Sequence, residues 1–199
     1  MKVTLKHITP DAENLIGDCA AECYDGKRDR QSNIRRARSC KTKGHLATRR
    51  FAYAIFHISG ISRICSHQFV RSKHLDFLQQ SQRYVNQKDC KFVRPPSFDS
   101  LPRALQARWM SHELEAKALY NELICAGMKK EDARYILLES AETSLAVVGN
   151  FQAWQDFINL RNTQEAQHEI RKVAAEIDRA LYDAEKENQN AQADDQDQS

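Results

Sequence analysis

Two separated segments limit what this chain can become. The first runs Arg63-Ile64-Cys65-Ser66-His67-Gln68-Phe69-Val70-Arg71-Ser72-Lys73 and continues to Gln79-Gln80-Ser81-Gln82-Arg83-Tyr84. The second is Asn159-Leu160-Arg161, followed by Ala166-Gln167-His168-Glu169-Ile170-Arg171. Both set arginine, glutamine and serine beside apolar residues. A plain core rejects that mixture, because buried polar groups need partners. A pocket for an anionic, hydrogen-bonding ligand suits it.

The 199 residues fit a single domain over 1–187, followed by a polar, acidic tail at 188–199 that is expected to be disordered. No apolar run approaches the roughly 18 residues of a membrane span. The opening Met1-Lys2-Val3-Thr4-Leu5 lacks the apolar stretch of a signal peptide, so the cytoplasm is the expected location. Six cysteines, none in a Cys-x-x-Cys pair, read as scattered reduced thiols. The seven histidines include no His-Glu-x-x-His, so no metal is expected. Between Lys27 and Arg50 stand ten basic residues and one acidic residue, Asp29. Such a stretch is either a phosphate-binding surface or a solvated face.

Local signals give a provisional outline. Val3–Ile8 alternates like a strand, and Asp11 can cap a helix through about Cys23. Residues 25–43 read as a basic loop or irregular helix. Arg50–Ser59 reads as a strand or a buried helix, broken by Gly60. Ile61–Val70 has helical spacing, and 71–80 reads as a loop or distorted turn. Leu101–Ala126 is a strong amphipathic helix stopped by Gly127. A short helix from Lys130 carries Arg134. Asn150 can cap a helix bearing Phe151, Trp154, Phe157 and Ile158. Asn162 with Glu165 resembles a capping box that starts a helix through about Lys186. That places Arg161 at a helix–helix junction. There it can face an anion or enolate-like oxygen, or it can tie two helices together through their carbonyls.

These segments resemble the flavin-dependent thymidylate synthases, the ThyX family. The family signature is Arg-His-Arg, seven residues, then Ser, usually continuing to Arg-Tyr. Here Arg71-Ser72-Lys73 is followed at that spacing by Ser81, then Gln82-Arg83-Tyr84. Gly60-Ile61-Ser62-Arg63, Ser66-His67-Gln68, Ala133-Arg134-Tyr135-Ile136-Leu137, Gly44-His45, Thr9-Pro10 and Cys23-Tyr24 also match. Three places depart from the pattern. Ser72-Lys73 replaces His-Arg, Arg50 stands where the family carries glutamate, and Gln152 ends what is Asn-x-Arg in the family. Lys73 keeps the charge but lacks the planar fork of arginine. All three fall where the family contacts flavin.

The resemblance implies an α+β fold, with mixed helices around a small antiparallel sheet. It implies reductive methylation of dUMP to dTMP, with methylenetetrahydrofolate as carbon donor and NADPH with FAD as reductant. It assigns the dUMP-binding positions to Gln68, Arg71, Gln79, Ser81, Arg83, Arg134 and Arg161. Of these, Arg161 is the catalytic residue that stabilises charge developing on the uracil. It assigns the FAD positions to His45, Ala47, Arg71, Ser72, Lys73, Gln79, Asn150, Gln152 and Asp156. No Rossmann Gly-x-Gly-x-x-Gly is present, in keeping with this family. It also implies a homotetramer with sites at subunit interfaces. Two other readings stay open on the sequence alone. One is a diverged relative that modifies a pyrimidine nucleotide differently, for example by hydroxymethylation. The other is a non-enzymatic nucleotide or nucleic-acid binder using the basic stretch, although no nucleic-acid motif accompanies it.

Overall fold

The structure, a computed structural model, describes residues 1–23 and 25–194, with side chains as far as residue 187. Tyr24 and residues 195–199 of the expected tail lie outside them. In chain order the elements are β1 (Lys2–Ile8), α1 (Ala12–Ala21), α2 (Arg30–Thr42), β2 (Tyr53–Ser62), α3 (Arg63–Phe69), β3 (Leu75–Gln79), α4 (Arg103–Cys125), α5 (Lys130–Ala133), β4 (Glu142–Asn150), α6 (Phe151–Arg161) and α7 (His168–Asp194). Short 3-10 turns cover Leu46–Phe51, Pro96–Ser100 and Arg134–Ile136. The strands form one antiparallel sheet in the order β1-β2-β4-β3, so the fold is α+β. Among the described residues, no helix is long and apolar enough to cross a membrane.

The chain divides into two compact units. The first holds residues 1–2, 58–71 and 78–145; the second holds 3–57, 72–77 and 146–199. The backbone passes from one to the other within each of the four strands and again between residues 71 and 72. In β4 the period-two rule is plain: Thr143, Leu145, Val147 and Gly149 are buried while their neighbours are not.

In the first unit, α4 ends where Gly127 takes φ +88, a left-handed value that glycine adopts without strain. Only Glu113, Ala116 and Tyr120 of α4 are buried. The carboxylate of Glu113 receives both Arg94 and the Trp109 indole, the latter at 2.9 Å. In the second unit, α1 packs on α2 at glycine. A Cβ on Gly17 would lie 1.9 Å from the Asn33 carbonyl oxygen. The centre of that unit is Trp154, fully buried, edge-on to Phe56 at 5.0 Å and to Phe157 at 6.1 Å. Its indole donates to the Ala54 carbonyl at 3.1 Å.

Several local expectations need correction. Gly60 does not break β2: it takes φ +71 inside the strand, which runs on to Ser62. Residues 75–79 form a strand rather than a loop. Residues 30–42 form a regular helix, capped by the Asp29 carboxylate at Ser32 N. Asp11 sits at the start of α1 with φ 46 and makes no cap bond, because its carboxylate pairs with Arg30 at 2.9 Å. Asn162 and Glu165 form no capping box. Helix α7 starts six residues after Asn162, at His168, where the Gln167 side chain accepts from Glu169 N and Ile170 N. Helix α7 also continues as far as Asp194, past the expected start of the tail at 188.

Candidate active site

The first unit gathers most of the expected nucleotide positions. Helix α3 begins at Ser62, whose hydroxyl accepts from Cys65 N at 3.0 Å, and it carries Gln68. Arg71 follows, exposed. Strand β3 delivers Gln79, whose amide donates to Ser66 at 2.9 Å and to Thr143 at 3.3 Å. Both acceptors are buried, so Gln79 ties the loop root to the strand beside it. The Ser81 hydroxyl accepts from Arg83 N at 3.2 Å, and its carbonyl accepts from Val85 N at 2.9 Å. Ser81 is thus a turn-forming serine, without the neighbouring base a nucleophile needs.

This loop is stapled to α5. Arg83 pairs with Glu131 at 3.1 Å, Lys130 donates to the Tyr84 carbonyl at 2.9 Å, and Arg134 donates to the Glu131 carbonyl at 3.1 Å. Ser81, Arg83 and Arg134 therefore belong to one cluster. Sequence reasoning missed a further member, Arg63. Burial lowers its pKa, the nearby Arg134 charge lowers it further, and Glu139 offsets part of this. In sequence Arg63 heads the first polar segment and ends the family-like Gly60-Ile61-Ser62-Arg63, but nothing there gave it a site role.

The second unit holds Arg161 and most of the expected flavin positions. Arg161 is the half-buried last residue of α6, where a cation complements the helix dipole. At the other end of α6, the Asn150 side chain accepts from Ala153 N at 2.9 Å. One turn on, the Gln152 amide donates to Asp156 at 2.7 Å. A cavity of about 180 Å³ opens here, lined by Arg50, His74, Asn150, Gln152, Ala153 and Asp156. It brings together three expected positions, Asn150, Gln152 and Asp156. His45, Ala47 and Lys73 are exposed and outside its lining. His74 was not expected there, and Arg50 was visible in sequence only as a departure at a position where the family contacts flavin. The place of His74 depends on a left-handed backbone at φ 63.

Two buried polar atoms at expected flavin positions have no protein partner: Gln152 Oε1 and Ser72 Oγ. Buried polar atoms are nearly always satisfied, so these suit a hydrogen-bonding ligand such as flavin. Beside them, Arg49 also has an unpartnered buried Nε. Burial lowers the Arg49 pKa, while the Glu185 and Asp156 carboxylates hold it up. Burial conversely raises the Glu185 carboxyl, against the pull of Lys41 and Arg49.

Four arginines of the basic stretch are engaged within the second unit. Arg28 pairs with Asp18 and Glu22, Arg30 with Asp11, and Arg38 with Glu13. Arg36 donates to the Gly17 and Lys27 carbonyls. These guanidinium groups hold helices α1 and α2 together, which weighs against a nucleic-acid surface.

The profile of the family described as thymidylate synthase complementing protein matches residues 4–184. A flavin-dependent thymidylate synthase of Mycolicibacterium vanbaalenii is 34% identical over 156 residues, which is 71% of this chain and 62% of that relative. Proteins of the same name from Mycobacterium avium and Mycobacterium tuberculosis are 34% and 35% identical, over 70% and 69% of this chain and 62% and 61% of the relatives. The chain thus spans somewhat less than two thirds of the length of these curated relatives. With the family profile matched along nearly its whole length, the chain belongs to the thymidylate synthase complementing protein family, ThyX.

Proposed function

We propose that this chain is a flavin-dependent thymidylate synthase that methylates dUMP to dTMP. Methylenetetrahydrofolate is the carbon donor, and NADPH with FAD is the reductant. The observation that carries the reading is the cluster of Arg83, Arg134 and the Ser81 turn, tied to α5, on a chain of this family. It offers cationic donors and loop amides to a nucleotide phosphate. In this reading Gln68, Arg71, Ser81, Arg83 and Arg134 bind dUMP, and Gln79 holds their loop in place. A charge-assisted hydrogen bond contributes about 1.5–3 kcal/mol, so a few such arginines suffice for micromolar binding.

Arg161 is the proposed catalytic residue. Making carbon 5 of the uracil nucleophilic pushes negative charge onto the ring oxygens. A cationic donor held in place before the reaction lowers that cost. FAD is held by His45, Ala47, Arg71, Ser72, Lys73, Gln79, Asn150, Gln152 and Asp156. When bound, flavin supplies the hydride. The residues of this chain bind and orient the ligands and exclude water. The unpartnered Gln152 Oε1 and Ser72 Oγ support that assignment.

A homotetramer with sites at subunit interfaces completes the proposal. Its support is the apolar surface of α4, where Leu105, Leu114 and Leu119 are exposed. The proposed location is the cytoplasm. The test is reconstitution. Purified chain incubated with FAD and then desalted should retain flavin absorbance near one flavin per chain. A colourless protein after reconstitution would sink the flavin reading.

A further inference from the structure

The cavity at the start of α6 contains one atom whose hydrogen-bonding need is unmet. Gln152 is 6% exposed, and its amide nitrogen is committed to the Asp156 carboxylate at 2.7 Å. A carboxylate can only accept, so the NH2 group must face it and Oε1 must point elsewhere. That Oε1 is buried and unpartnered. It calls for a donor, such as a hydroxyl or an imide N–H. The side-chain oxygen of Asn150 is already occupied by Ala153 N. Besides the Asn150 side-chain NH2, the donors on the cavity wall are the Arg50 guanidinium and the His74 imidazole. Neither makes a hydrogen bond or ion pair within the described residues. His74 holds φ 63, a region that costs a non-glycine residue energy and that places it in the cavity lining.

The geometry points to Arg50 and His74 as flavin-binding residues particular to this chain. They donate to anionic or carbonyl oxygens of the flavin, while Gln152 Oε1 accepts a hydroxyl or imide N–H of the same ligand. This rests on the flavin reading above. It also accounts for two departures in the sequence together. A cation absent at 152 is present at 50 in the same cavity lining, and an imidazole absent at 72 is present there at 74.

The test is equilibrium titration of FAD into the full chain, followed by flavin fluorescence, with Arg50→Gln and His74→Asn compared with wild type. Both residues are exposed, and asparagine tolerates the left-handed backbone, so the fold should persist; thermal unfolding checks this. Each variant should weaken FAD by about tenfold or more, the loss of a charge-assisted or imidazole contact. Lys88→Gln, an exposed charge outside the cavity lining, should leave the affinity unchanged. The double exchange Arg50→Gln with Gln152→Arg keeps the charge in the cavity and should recover part of the loss. Riboflavin and ADP as parallel probes tell the ring and ribityl oxygens from the phosphates. Wild-type FAD affinity in both single variants overturns the inference and leaves the flavin reading standing. A wild type that binds no FAD overturns both.

Discussion

Trp154→Phe tests how α6 is held. The Trp154 ring is fully buried against Phe56 and Phe157, and its indole is the donor to the Ala54 carbonyl at 3.1 Å. Phenylalanine keeps most of the apolar contact and deletes that donor. Ala54 is itself fully buried, so its carbonyl cannot recruit water instead. The missing bond costs about 1–3 kcal/mol. The smaller ring leaves a void of roughly 40 Å³, and at about 24 cal/mol per Å³ this adds about 1 kcal/mol. The expected loss is therefore about 2–4 kcal/mol. Urea denaturation should report it as a lower midpoint at unchanged slope. A loss below about 1 kcal/mol would mean that the indole–carbonyl contact does not anchor this helix.

Other perturbations follow from the same structure. Arg161→Ala should lower kcat by about 100- to 1000-fold while dUMP still binds in a calorimetric titration, and near-normal turnover would remove Arg161 from its role. Glu113→Ala frees the Arg94 and Trp109 donors, both over a third exposed, and should destabilise by about 1–2 kcal/mol; Glu113→Gln, which keeps one acceptor, should cost less in the same melt. Glu185 gives a pH signature. Because burial raises its carboxyl, the folded chain keeps a proton that the unfolded chain has released, so stability falls as pH rises above the ordinary glutamate value. Glu185→Gln should flatten that part of the stability–pH curve, and an unchanged slope would show that Glu185 titrates normally.

The parts of the fold that were legible in sequence are those stabilised by apolar periodicity or local caps. Helix α6 is the clearest case, with its Asn150 cap and its buried Trp154 and Phe157 at helical spacing. Helix α2 was obscured for a physical reason. It docks on α1 through arginine contacts to carboxylates and carbonyls, and few of its residues carry an apolar signal. Strand β3 was missed because it lies at the edge of the sheet. It buries Leu75 yet leaves Leu78 79% exposed, so its alternation is too weak to read. The start of α7 was misplaced because a glutamine side chain, not an Asn–Glu box, supplies the cap.

The candidate site shows the same division. Ser81, Arg83 and Arg134 were expected through the family resemblance, and contacts from Glu131 and Lys130 tie their loop to α5. Arg63 carried no site role in sequence, and His74 entered through the cavity lining, where a left-handed backbone places it.

The most direct measurement is the mass of the nucleotide product. Purified chain with FAD, NADPH, methylenetetrahydrofolate and dUMP should yield dTMP, a single added methyl on the uracil. A hydroxymethylated product, or unchanged dUMP from a flavin-loaded protein, would contradict the account.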